Sequence, residues 1–181
     1  MDNKMLDQQQ LITGCKQKET WARKQLYELY APTMLGICVR YVNERETAWD
    51  ILQEGFIKVY TKIDSYSGAG SFEGWMKKIF ITSALEYLRV AKTFKYNLNL
   101  DEYGDAIGNF DESIVETISA EEILRCINEL PVGFKTVFNL YAIEGYSHAE
   151  IAKMLKIKES SSRSQLARAR QMLQIKIQKL Y

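Results

Sequence analysis

The stretch Y-S-H-A-E-I-A-K-M-L-K-I-K-E-S-S-S-R-S-Q-L-A-R-A-R, from Tyr146 to Arg170, leaves few structures open to the chain. Ser147 and Glu150 stand three apart, the spacing of a capping box, in which each side chain satisfies a backbone N–H that the first helical turn orphans. A helix therefore starts there. Ile151, Ala152 and Leu155 fall on one face, Lys156-Ile157-Lys158 breaks the period with Ile157 placed to plug the bend, and a second helix begins near Glu159. In that helix Leu166, Ala169 and Leu173 share a packing side, while Arg163, Ser164, Gln165 and Arg168 lie away from it. Arg pairs bidentately with guanine and Gln with adenine, each worth about 1–3 kcal/mol of discrimination, so the second helix suits a DNA major groove. The competing reading is a solvated face charged for solubility. Capping, bend length and basic polarity together favour DNA.

Charge distribution sharpens this. The formal net charge of +1 conceals segregation: Ser147 to Tyr181 holds eight basic residues against two acidic, whereas Asn97 to Glu129 holds nine acidic residues against one Arg. A basic end after an acidic middle suggests a phosphate-facing module on a connector that avoids or mimics nucleic acid. Hydrophobic residues make up 46% of the chain, enough for a core and against disorder throughout. Cys15, Cys38 and Cys126 are scattered and His148 has no partner at ligand spacing, so neither a zinc site nor any other cofactor is expected. Unclustered cysteines, no signal-peptide pattern and no long apolar run point to a reduced cytoplasmic protein without direct membrane insertion.

Taken in order, the residues before Lys18 suggest only a short arm or opening helix. Helical periodicity strengthens from Trp21, with Leu26, Leu29 and Tyr30 on one side, and Pro32 is expected to restart the chain as a first-turn proline. Ala48, Ile51, Leu52, Phe56, Val59 and Ile63 then form one face of a strong amphipathic helix. Its other face shows Asp50, Gln53 and Glu54, either a solvated surface or a grip for a basic protein. The loop Ser65 to Ser71 is Gly-rich but lacks the Lys-Ser/Thr ending of a phosphate-cradling loop, which excludes a nucleoside triphosphatase of that type. A long helix from Phe72 is predicted with Trp75, Ile79, Leu85 and Leu88 inward and Lys77, Lys78, Arg89 and Lys92 outward. Such interleaving of cations and aromatics suits single-stranded nucleic acid, though Phe72 and Trp75 as plain core fits the pattern equally well. Periodicity fails from Phe94 to Ser119 amid glycines and carboxylates, the mark of a linker. It resumes at Ala120 with Ile123, Cys126, Ile127 and Leu130, and Pro131 restarts it for Phe134, Val137, Phe138 and Tyr141.

D-I-L-Q-E-G-F at Asp50, F-x-x-W-M-K-K-I at Phe72, A-L-E-Y-L-R at Ala84, E-L-P at Glu129 and V-F-N-L-Y-A-I-E-G-Y-S-H-A-E-I-A through Ala152 follow one another at fixed separations. In this order they resemble the extracytoplasmic-function class of bacterial sigma factors, over about Gln25 to Leu173. The resemblance implies an all-α fold of two small helical domains, residues 1–95 and 120–181, joined by a flexible acidic linker at 96–119, the second domain a helix-turn-helix. It implies a non-enzymatic factor that directs core RNA polymerase to promoter DNA. Asp50, Gln53 and Glu54 take the positions of the clamp-binding face, and Lys77, Lys78, Thr82, Glu86 and Arg89 those of the minus-ten strand contacts. Arg163, Ser164, Gln165 and Arg168 fall on the helix that reads the minus-thirty-five duplex. An inhibitory anti-sigma partner is also implied. The sequence departs from the family where Thr82 replaces a common Asn and Ile81 a common Arg, which leaves base preference at the minus-ten element open. Lys156 stands at a turn that usually carries Gly, at a cost of about 1 kcal/mol if it is left-handed.

Overall fold

A computed structural model describes residues 8–91 and 118–180, and among these every regular element is helical. The predicted linker and Lys92 lie outside the described residues, apart from Ile118 and Ser119. The chain divides into two compact units, one ending at Leu88 and the other beginning at Arg89.

The first unit holds α1 (Gln8–Lys16), α2 (Thr20–Tyr41), α3 (Arg45–Lys62), a 3-10 turn at Ile63–Ser65, and all of α4 (Phe72–Val90) but its last two residues. Pro32 does not restart the chain; α2 runs through it. Pro32 supplies no N–H to the Glu28 carbonyl, but it sits on the solvent side, and the helix it interrupts buries Leu26, Tyr30, Met34, Ile37, Cys38 and Tyr41. Continuous burial of that line outweighs one lost hydrogen bond. Leu29, expected inward, is 62% exposed, because Ala22, Leu26 and Tyr30 already occupy the core side of the helix.

The apolar face read along α3 is buried as expected, from Ala48 to Val59, with Ile63 just beyond. Gly55 lies on this face. A Cβ added there would stand 2.2 Å from Phe80 Cε1 of α4, so the two helices approach as closely as they do only because this position has no side chain. Phe80 cannot easily yield, since it is fully buried with its ring edge-on to Phe56 at 5.2 Å. Gly55→Ala is therefore expected to destabilise the protein by about 1–2 kcal/mol, overpacking strain partly offset by better helix propensity. Thermal denaturation would check this, and an unchanged or raised midpoint would contradict the close approach.

The second unit comprises α5 (Ala120–Asn128), α6 (Val132–Phe138) running into a π-helical turn at Asn139–Ile143, α7 (His148–Leu155) and α8 (Glu159–Gln178). A capping box of Ser119 and Glu122 starts α5, with the Ser119 N–H donating to Glu122 Oε2 at 2.9 Å. Pro131 precedes α6, as the sequence indicated. Cys126, Ile127, Leu130 and Phe134 close a core against Ala169 and Leu173 of α8. The Lys176 ammonium pairs with Glu129 at 2.6 Å, tying the end of α5 to the far part of α8. Tyr141, expected in the core, is 36% exposed, because the π turn rotates it off the buried line of Phe134, Val137 and Leu140.

Candidate nucleic-acid interface

In the second unit Ser147 caps α7: its N–H donates to Glu150 Oε2 at 2.8 Å and its hydroxyl accepts from the Glu150 N–H at 3.3 Å. The bend follows at Lys156, whose φ of 57° and ψ of 44° are left-handed. Ile157 is half-buried there, with its N–H on the Ala152 carbonyl at 3.0 Å. Lys156→Gly removes the Cβ penalty and is expected to stabilise the chain by about 0.5–1 kcal/mol, measured by thermal or urea denaturation. A loss of stability would mean that the Lys156 side chain contributes more than its backbone conformation costs.

Two helices thus meet at a fixed angle, and α8 presents its first turns outward. Arg163 is exposed and held by Glu159 one turn earlier. Ser164 is exposed, with its hydroxyl donating back to Ser160 and Ser161 carbonyls at 3.1 and 3.2 Å. Gln165 differs from expectation: it is half-buried, and its Oε1 is enclosed with no hydrogen-bond partner among the described residues. It neighbours Leu166 at the edge of the packing side, so its amide is turned partly inward. Arg168 is also half-buried, with Nη1 donating to Gln171 Oε1 at 3.2 Å. Sequence reasoning missed Arg170, which is exposed and lies 5.8 Å over the Tyr141 ring. Tyr141 stacks at 4.6 Å on His148, whose Nδ1 meets the buried Ser162 hydroxyl at 2.9 Å. Desolvation, with Arg163 and Arg170 nearby, lowers the His148 pKa against the opposing pull of Glu159, so the ring is neutral at neutral pH. The isolated R-A-R repeat was the only sequence signal for Arg170.

In the first unit Asp50, Gln53 and Glu54 are all exposed on α3, opposite its buried face. Trp49 and Ile57, 38% and 62% exposed, stand four residues either side of Gln53 and add apolar area to this polar face. Both sit off the core period of α3, which marks them in the sequence as apolar residues that face outward.

Lys58 and Lys62 of α3, with Trp75, Lys78, Thr82 and Glu86 of α4, line a groove of about 210 Å³. Three of the expected strand contacts, Lys78, Thr82 and Glu86, meet here. Lys77 does not: it pairs with Glu73 at 2.8 Å, outside the groove. Arg89 is exposed near the end of α4, beyond the groove lining. Trp75 and Ile79, expected inward, are half-buried on the groove wall, since Met76, Phe80, Ala84 and Leu88 form the buried line instead. Ile81 is core, 1% exposed. Phe72 is core as well, stacked on Trp75 at 5.5 Å, so the two aromatics split between the alternative readings. The Gly-rich loop is held over them: Tyr66 packs on Phe72 and Trp75, its hydroxyl donates to the Gly70 carbonyl at 2.8 Å, and Gly68 and Gly70 take positive φ. No helix among the described residues is long and apolar enough to cross a membrane.

Residues 26–93 match the Sigma-70 region 2 family model and residues 120–173 the Sigma-70 region 4 model. The chain is 30% identical to the ECF RNA polymerase sigma-E factor of Haemophilus influenzae, a match covering 97% of each. It is 26% identical to the sigma-E factor of Escherichia coli, over 98% of each chain. Among solved structures it is similar to the sigma factor RpoE of Bartonella quintana, crystallised with the anti-sigma factor NepR. That match has a TM-score of 0.53 and 16% identity, covers 86% of this chain and 96% of that one, and speaks to the fold alone. Full-length similarity and both region matches, in order along one chain, place it in a single family: the protein belongs to the extracytoplasmic-function class of RNA polymerase sigma factors, which direct core polymerase to promoters.

Proposed function

We propose that residues 1–95 form the part of this factor that docks on polymerase and captures the minus-ten strand, that 96–119 is a connector, and that 120–181 reads the minus-thirty-five duplex. Asp50, Gln53 and Glu54 make the polymerase contact. Lys78, Thr82 and Glu86 contact the unpaired strand inside the groove, with Lys77 and Arg89 on its flanks. Arg163 and Ser164 face the upstream duplex, with the half-buried Gln165 and Arg168 at the edge of that surface. The observation that carries this reading is the groove itself: three lysines and the half-buried face of Trp75 share one depression beside a Gly-rich loop. Cations follow phosphates there and an aromatic face replaces lost base stacking, worth about 1–3 kcal/mol per base. That is comparable to the few kcal/mol needed to unstack one, so binding alone can open DNA.

No catalytic step is assigned to the chain, and it works in the cytoplasm, where the polymerase is. An anti-sigma protein is a further partner, by analogy with the Bartonella quintana complex. Permanganate reactivity of thymines in a promoter tests the strand assignment. With core polymerase and this protein, unpaired thymines are expected near the start site, and Lys78→Ala with Trp75→Ala is expected to reduce them several-fold. Undiminished reactivity would remove the groove from the opening step.

A further inference from the structure

The Lys58 ammonium stands between the two faces of the first unit. It donates to Glu54 Oε1 at 2.8 Å, to Glu86 Oε2 at 2.8 Å and to the Ser83 hydroxyl at 3.1 Å. An ammonium has three N–H donors, and all three are engaged. Glu54 belongs to the exposed face of α3 with Asp50 and Gln53, whereas Glu86 lines the groove on α4. One cation is therefore shared between a carboxylate that looks outward and one that looks into the groove.

We infer that Lys58 is a positioning residue that couples polymerase docking at Glu54 to the readiness of the groove for a nucleic-acid strand. This rests on the functional assignment of the two faces given above. In the free protein two carboxylates and a hydroxyl saturate Lys58, so the groove lacks the use of one of its three lysines. When a cationic group of the polymerase takes Glu54, Lys58 loses one of its two anionic partners. One N–H and a larger share of its positive charge then turn to a strand phosphate, while Glu86 keeps the ammonium at the groove wall. Lys58 is only 24% exposed at the side chain, so its position is fixed by these partners and not by free rotation in solvent. Burial acts to lower its pKa, but the hydrogen bonds and charges of Glu54 and Glu86 more than offset this and raise it, so the ammonium stays charged throughout.

A two-site cycle on the free protein tests this, with fluorescein-labelled single-stranded DNA of mixed sequence as the probe and anisotropy as the readout. Glu54→Gln mimics release of Lys58 and is expected to tighten strand binding about 3- to 10-fold at low salt, with the salt slope steeper by about 0.7 for the one added phosphate contact. In a Lys58→Gln background the same Glu54→Gln change is expected to do almost nothing, and Lys58→Arg is expected to restore the response. A general charge effect would instead give equal gains with and without Lys58, and that additivity would overturn the coupling. Lys62→Ala and Lys78→Ala separate this from the parent assignment. If they weaken binding while the cycle is additive, only the coupling fails; if they leave affinity unchanged, the strand does not lie in the groove and both fall.

Discussion

Replacing Asp50, Gln53 and Glu54 together by Ala is expected to lower affinity for core RNA polymerase by at least about 30-fold, the loss of one interface hot spot of about 2 kcal/mol. All three side chains are exposed and lie opposite the buried face of α3, so stability should change by less than about 1 kcal/mol. Among the described residues Glu54 is the one member with an internal partner, and Lys58 keeps Glu86 when it is removed. Trp49 and Ile57 beside Gln53 supply the apolar area that a polar trio lacks, and Ile57→Ala should deepen the defect. Affinity measured by competition, with circular dichroism to certify the fold, checks the prediction. A helix-turn-helix repressor acting alone as a dimer would show no dependence on these residues.

Arg163→Ala should weaken use of promoters that depend on their upstream element by about 5- to 150-fold, the value of one bidentate base contact of about 1–3 kcal/mol. Arg163 is exposed, and its tie to Glu159 is a surface i,i+4 pair worth about 0.3–0.5 kcal/mol, which DNA can readily displace. Arg163→Lys should rescue poorly, because an ammonium cannot reproduce the planar fork. Arg168 is half-buried against Gln171, so Arg168→Ala should lower thermal stability as well as promoter use. Parallel transcription assays on promoters with and without an upstream element separate the two effects. Equal loss on every template would contradict direct reading by α8.

What the sequence made legible was local. The Ser147 and Glu150 capping box, the left-handed Lys156, the Pro131 start of α6 and the core face of α3 all follow from rules that act within one or two helical turns. What it hid depends on neighbours distant in the chain. Pro32 stays inside α2 because apolar residues on both sides of it pack on one core, which no local rule reports. Trp75 lies on the groove wall because Gly55 lets Phe80 take the centre of the α3 and α4 contact. Lys135 carries an ammonium yet is 1% exposed, and burial pulls its pKa down. Gln165 falls on the outer arc of a helical wheel, but its carbonyl oxygen is enclosed beside Leu166. The groove was only half visible: Lys78, Thr82 and Glu86 were found along α4, whereas Lys58 and Lys62 reach it from α3 and share no periodicity with them.

Mapping the 5′ ends of RNA made by core polymerase from a genomic library, with and without the protein, decides whether this chain sets where transcription starts. A set of defined start sites is expected to appear only when protein and core are both present and to be lost when Asp50, Gln53 and Glu54 are replaced by Ala. The same start sites from core alone, or unchanged output with the substituted protein, would contradict it.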